Sequence, residues 1–190
     1  MGFGVAHARV RNAAATRTAI LNAARERFSR ESYDDVGLRD IAGDVGVDAA
    51  LIPRYFGSEE ELFAAALDSC RGRDDMIRGE HCDFSCRVAQ ELVFGDREEC
   101  KFEGLLMVLR SISSAKAAEI VRTAADERFH GPLSDWIGGP DAQIRARLVS
   151  GLIKGIAITR EITDDFGLTL GEREQLRDRL AATLQSMIKD

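Results

Sequence analysis

The sequence has little of what strands, membranes or catalysis would require. No stretch of several residues alternates apolar and polar side chains as a half-buried strand would, and only three prolines interrupt 190 residues. An all-α fold follows from that absence. No apolar run approaches the roughly 18 residues that span a bilayer, and the first residues lack the apolar core of a secretory signal, so a cytoplasmic protein without a membrane partner is expected. Met1-Gly2 carries no myristoylation signal, because position 6 is Ala6 where Ser or Thr is wanted. Nucleophile elbow, phosphate loop and dinucleotide-binding glycines are all missing, so no motif supports an enzyme. The cysteines, Cys70, Cys82, Cys86 and Cys100, form no paired C-x-x-C units, and His81-Cys82-x-x-x-Cys86 matches no common zinc spacing. Neither a metal nor a cofactor is expected, and the cysteines read as small apolar residues in a reducing compartment.

Charge is unevenly spread. The net charge is -6, yet residues 1–30 set Arg9, Arg11, Arg17, Arg25, Arg27 and Arg30 against Glu26 alone. A basic end on an acidic body can still bind phosphate, because repulsion from the body is screened beyond about 8–10 Å. Residues 1–14 show no sustained apolar period and are expected to form a mobile basic arm.

The most informative stretch is Gly37 to Phe63. Leu38, Ile41, Ala42 and Val45 fall at i, i+3, i+4 and i+7, on one face of a helix. Gly46 can leave that helix left-handed, and the Asp48 carboxylate can cap the next helix. Helix, glycine turn and capped helix make a helix-turn-helix pattern. Ser58-x-x-Glu61 reads as a capping box that starts a further helix. Upstream, Ile20, Leu21, Ala24 and Phe28 share a helix face that needs the next two helices to cover it, giving a three-helix head.

Ile20-Leu21, Ala23-Ala24, Phe28, Tyr33, Leu38-Arg39-Asp40-Ile41-Ala42, Gly46-Val47, Ile52, Tyr55-Phe56 and Ser58-x-x-x-Leu62 together resemble the DNA-binding domain of the TetR family of transcriptional regulators. The resemblance implies about nine helices, with a DNA-binding head at 1–57 and an effector-binding and dimerisation domain at 58–190. It implies a repressor that leaves a palindromic double-stranded operator when a small hydrophobic or amphipathic ligand binds. Its DNA-binding positions fall on Arg17, Arg39, Asp48, Ala49, Ala50, Leu51, Arg54, Tyr55 and Ser58. Ala49, Ala50 and Leu51 can meet thymine methyls but cannot donate or accept a hydrogen bond, which leaves Arg39 as the candidate for guanine.

The sequence departs from the family pattern at four positions. Ser32 replaces a glycine expected to turn left-handed, Gly37 replaces a Ser or Thr cap, Pro53 replaces a tyrosine, and Glu59 replaces a lysine. Pro53 is expected to loosen the first turn of the recognition helix or shorten it. The last three departures keep a second reading open, an all-α small-molecule binding protein with little operator affinity.

Beyond the head, helices are expected at about 83–94, at 102–112, from a Ser114 N-cap through Phe129, from Asp141 through Ile162, and from 171 or 172 to Lys189. A short piece carries Leu133 and Trp136. The last two helices carry apolar stripes that imply, by resemblance, a homodimer built as a four-helix bundle, using Leu148, Gly151, Leu152, Gly155, Leu176, Leu180 and Leu184. Also by resemblance, an effector pocket is expected among Phe94, Leu106, Met107, Arg110, Trp136, Ile156 and Arg160.

Overall fold

A computed structural model describes residues 3–70, Ile77, 80–96 and 99–189, with side chains from Ala13 onward except at 81, 82 and 99–101. The side chains of Arg9, Arg11, His81, Cys82 and Cys100 therefore lie outside the described residues. Among the described residues no strand occurs. The helices are α1 (Phe3–Arg30), α2 (Leu38–Val45), α3 (Leu51–Phe56), α4 (Glu59–Ser69), α5 (His81–Phe94), α6 (Glu99–Arg110), α7 (Ala115–Ala125), α8 (Gly131–Ile137), α9 (Ala142–Ile162) and α10 (Leu170–Ile188). This is the expected all-α architecture, with the short piece between glycine-proline pairs forming α8. None of the described helices is long and apolar enough to cross a membrane. Because α1 begins at Phe3, the stretch expected as a mobile arm is helical from that residue on.

The chain separates into two compact units, residues 1–71 with 98–122, and residues 72–97 with 123–190. The first unit packs around three rings. Phe28 stacks on Tyr33 at 5.8 Å between centroids, and both meet Phe63 edge-on, at 5.0 and 5.1 Å. Ile20 and Ala24 of α1, Ile41 of α2, Ile52 of α3 and Leu62 of α4 close around them, and Met107 of α6 and Ala117 of α7 belong to the same core. Polar ties reinforce it: Arg25 Nε bonds Glu103 at 2.5 Å, Arg110 Nε donates to the Ser29 carbonyl at 2.9 Å, and the Ser114 hydroxyl donates to Asp34 at 2.9 Å. A division after residue 57 therefore does not coincide with the compact units, because α4, α6 and α7 help complete the head's core. Close approach of α6 to α4 depends on Gly104, where a Cβ would lie 2.7 Å from that of Cys70.

The second unit buries Phe84, Val88 and Val93 of α5 against Leu133 of α8, Val149 and Ile153 of α9, and Leu184 and Ile188 of α10. Leu180 and Leu184, expected in a dimer interface, are 4% and 0% exposed and belong to this core. The apolar stripe of α10 is consumed within the chain by α5. Between α9 and α10 the backbone is left-handed at Asp164, Asp165, Phe166 and Gly167, with φ of 46, 57, 68 and 61°. For non-glycine residues that conformation costs on the order of 1 kcal/mol each. Asp165 is gripped there by Arg160 at 2.9 Å and Arg173 at 3.5 Å, and Phe166 packs on the core, which offsets the strain.

Candidate nucleic-acid interface

The helix-turn-helix is built as its sequence dictates. Gly46 takes φ 73°, ψ 36°, its N–H reaches the Gly43 carbonyl at 3.2 Å, and the Val47 N–H reaches Ala42 at 3.0 Å. These two bonds satisfy carbonyls that the end of α2 would otherwise leave open. Asp48 accepts from the Ala50 N–H at 2.9 Å, capping a turn rather than α3 itself. The Leu51 and Ile52 N–H groups then bond back three residues, to Asp48 and Ala49, so the Ala49 carbonyl already has a donor where Pro53 supplies none. The loosened first turn expected from Pro53 is thus present, and α3 is confined to Leu51–Phe56. Arg27 of α1 grips Asp44 of α2 through two bonds, Nε at 2.5 Å and Nη2 at 2.9 Å, and holds its carboxyl below the ordinary range.

A left-handed turn at Ser32 would be costly for a non-glycine residue, and the local turn differs accordingly. Ser32 is extended at φ -65°, ψ 148°, and its hydroxyl lies 3.1 Å from that of Ser113. Gly37 caps α2 without a side-chain bond, at φ -95°, ψ 145°.

The nine DNA-binding positions do not share one environment. Ala50, Pro53 and Arg54 face outward with Arg39 and Asp48, whereas Ala49 and Tyr55 pack partly against the core. Among the described residues Arg39 and Arg54 make no ion pair or hydrogen bond, unlike Arg25, Arg27 and Arg30, which pair with Glu103, Asp44 and Glu26. Arg17 lies 4.6 Å over the ring of Phe56, which fixes its guanidinium beside α3. The basic character of the first thirty residues is thus partly neutralised internally, and among the described side chains of the head Arg17, Arg39 and Arg54 are left without a carboxylate partner.

Ser58 is occupied. Its hydroxyl accepts from the Glu61 N–H at 3.1 Å, and its own N–H donates to the Glu61 carboxylate at 2.8 Å. Lys116 bonds the neighbouring Glu60 and, with Ser58 assisting, draws that carboxyl down to about 2. Its contribution to stability is present above the ordinary carboxyl range and lost as pH falls toward 2. Glu59 is shifted the other way, raised first by burial, then by the charges of Glu60 and Asp34, with Lys116 opposing. An acid raised in the fold is destabilising when ionised, so stability falls as pH rises through its range. Glu59→Lys is expected to remove that repulsion, strengthen DNA binding about two- to fivefold at low salt, and steepen the log-log salt slope by about 1. Anisotropy titrations at several salt concentrations check this, and an unchanged slope would place residue 59 away from phosphate.

The residues expected around an effector divide between the two units and have local partners. Met107 is buried in the first unit's core, Leu106 lies in the same unit, and Arg110 holds Ser29. In the second unit Arg160 donates to the Leu92 and Gly95 carbonyls at 3.3 and 2.9 Å, closing the end of α5. Phe94 lies under Arg173 and Arg177, at 4.8 and 5.9 Å. Trp136 packs on Phe84 at 5.1 Å, and Ile156 adjoins the same core. An open groove of about 600 Å³ lies instead between Ser134 and Asp135 of α8 and Asp141 and Ile144 at the start of α9.

His130 lies 2.9 Å from Asp126 and 3.1 Å from the Ser150 hydroxyl. Ser150 is only 2% exposed, so this trio ties the π-helical turn Asp126–His130 to α9 and offers no nucleophile to a substrate. Among the described residues no group of His, Cys, Asp or Glu could hold a metal ion. On α9, Leu148, Gly151 and Gly155 are exposed, and a Cβ at either glycine would meet nothing within 4 Å. Leu152 and Leu176 pack partly against the second unit's core.

Two family models match the chain. One, described as bacterial regulatory proteins, tetR family, covers residues 20–66; the other, tetracyclin repressor-like, C-terminal domain, covers 84–188. No curated protein matches. Among solved structures, NalD of Pseudomonas aeruginosa, the secondary repressor of the MexAB-OprM multidrug efflux pump, is similar at 19% identity and a TM-score of 0.65, over 90% of this chain and 95% of that one. A TetR-family regulator from Streptomyces coelicolor A3 is 25% identical, with a TM-score of 0.57 over 92% and 95%. A regulator from Saccharomonospora viridis, solved with choline, is 19% identical, with a TM-score of 0.58 over 90% and 96%.

Proposed function

Because this chain belongs to the TetR family of bacterial regulatory proteins, and is a DNA-binding transcriptional regulator and not an enzyme, we propose that it is a cytoplasmic, homodimeric repressor. It leaves a palindromic operator when a small hydrophobic or amphipathic molecule binds its C-terminal part. The observation that carries the reading is the pair of unpaired guanidiniums, Arg39 and Arg54, on the open side of the helix-turn-helix, where Arg25, Arg27 and Arg30 of the preceding helix are matched by carboxylates. Arg39, in the first turn of α2, reads a guanine; Arg54, Tyr55 and Arg17 meet the backbone. Repression is argued by analogy with NalD, and a small organic effector by analogy with the relative that binds choline. The apolar surroundings of Trp136 and Ile156 favour an effector with an apolar part.

A palindrome follows from a two-fold dimer with half-sites about 34–36 Å apart. The exposed glycines of α9 support that dimer: a mid-helix glycine costs about 1 kcal/mol, and none of the described residues approaches these two closely enough to require it. DNA selected by the purified protein from a random pool tests the whole reading. Against the selected site, Arg39→Ala is expected to cost about 1–3 kcal/mol and relax one position. Uniform loss across operator variants would make Arg39 a phosphate contact. Failure to select any sequence would favour the small-molecule binding protein, the reading that Gly37, Pro53 and Glu59 keep open.

A further inference from the structure

We infer that the recognition segment reads pyrimidine 5-methyl groups in the major groove, an inference that rests on the operator-binding reading above. The shortened α3 leaves Ala50 and Pro53 exposed and Leu51 half-exposed as its outward surface. None of these side chains can donate or accept a hydrogen bond, and Pro53 lacks even a backbone N–H. Of the polar neighbours, Asp48 already accepts from the Ala50 N–H through one oxygen, and Tyr55 packs partly against the core. Unpaired Arg39 and Arg54 flank this apolar face, a charge arrangement that fits a polyanion and not an apolar protein partner.

Of the features a base pair shows in the major groove, only the 5-methyl group is apolar. A cytosine amino group or guanine carbonyl set against Ala50 and Pro53 would lose water without gaining a partner, which selects against those bases. The methyl group can come from thymine or from 5-methylcytosine, and the surface recognises the chemistry that both share.

The test uses the full-length protein and the site it selects. Each thymine is replaced in turn by deoxyuridine, which removes the methyl and keeps every hydrogen-bonding group, and affinity is read by anisotropy at fixed salt. Loss of about fourfold per methyl is expected at one or two positions in each half-site. At those positions 5-methylcytosine should bind more tightly than cytosine. With Ala50→Gly, the uracil penalty at the contacted position should shrink, a coupling that a general weakening of binding would not produce. Equal binding of the thymine and uracil sites would overturn the inference while leaving operator binding intact. Failure to select a site overturns both, and so the two failures are distinguishable.

Discussion

A chain carrying Gly151→Arg and Gly155→Arg is expected to fold normally, sediment as a monomer, and lose operator affinity by about 10²- to 10⁴-fold, because both half-sites can no longer be engaged at once. The positions are exposed, and a Cβ at either meets nothing within 4 Å among the described residues, so the new side chains start into open space. Replacing two mid-helix glycines should even stabilise the isolated protomer, by up to about 1 kcal/mol each. The combination is diagnostic: thermal stability maintained or raised, mass halved, binding lost. A double variant that remains dimeric would place the interface elsewhere than on this face of α9.

Leu184→Ala should behave in the opposite way. Leu184 is fully buried in the second unit, so truncation removes contacts and leaves a cavity, with an expected loss of about 2–5 kcal/mol in urea unfolding. Protein that remains folded should still dimerise. Monomers of undiminished stability would show that this side chain faces a second copy.

That contrast marks where sequence reasoning succeeded and where it did not. The caps were legible because they are local: Gly46 turns left-handed, Ser58 and Glu61 exchange hydrogen bonds, and Ser114 accepts from the Ala117 N–H at 3.3 Å. The helix periods were legible for the same reason. An apolar stripe, however, does not say whether its cover comes from the same chain or another, so Leu180 and Leu184 were assigned to an interface that α5 had already filled. Arginines posed the same difficulty. Nothing near Arg110 or Arg160 in sequence announces that one serves the Ser29 carbonyl and the other the end of α5, contacts separated by 81 and 68 or 65 residues. Ser32 was legible as a departure from the family glycine, but the extended exit from α1 that replaces the left-handed turn was not. The methyl-reading surface needed both levels: its residues are visible in the sequence, but Ala49 turning inward and Pro53 outward is not.

The first unit is discontinuous along the chain, and that has a bearing on how it is made. Residues 1–71 emerge from the ribosome with the ring cluster of Phe28, Tyr33 and Phe63 assembled from early sequence, whereas Met107 and Ala117, which finish the same core, lie within 98–122. At 5–20 residues per second the intervening synthesis takes roughly 3–10 s. Through that interval the nascent head presents an unfinished apolar side, and a head transplanted onto another regulator by cutting at residue 57 would carry a larger deficit permanently, since Leu62 and Phe63 would be missing too.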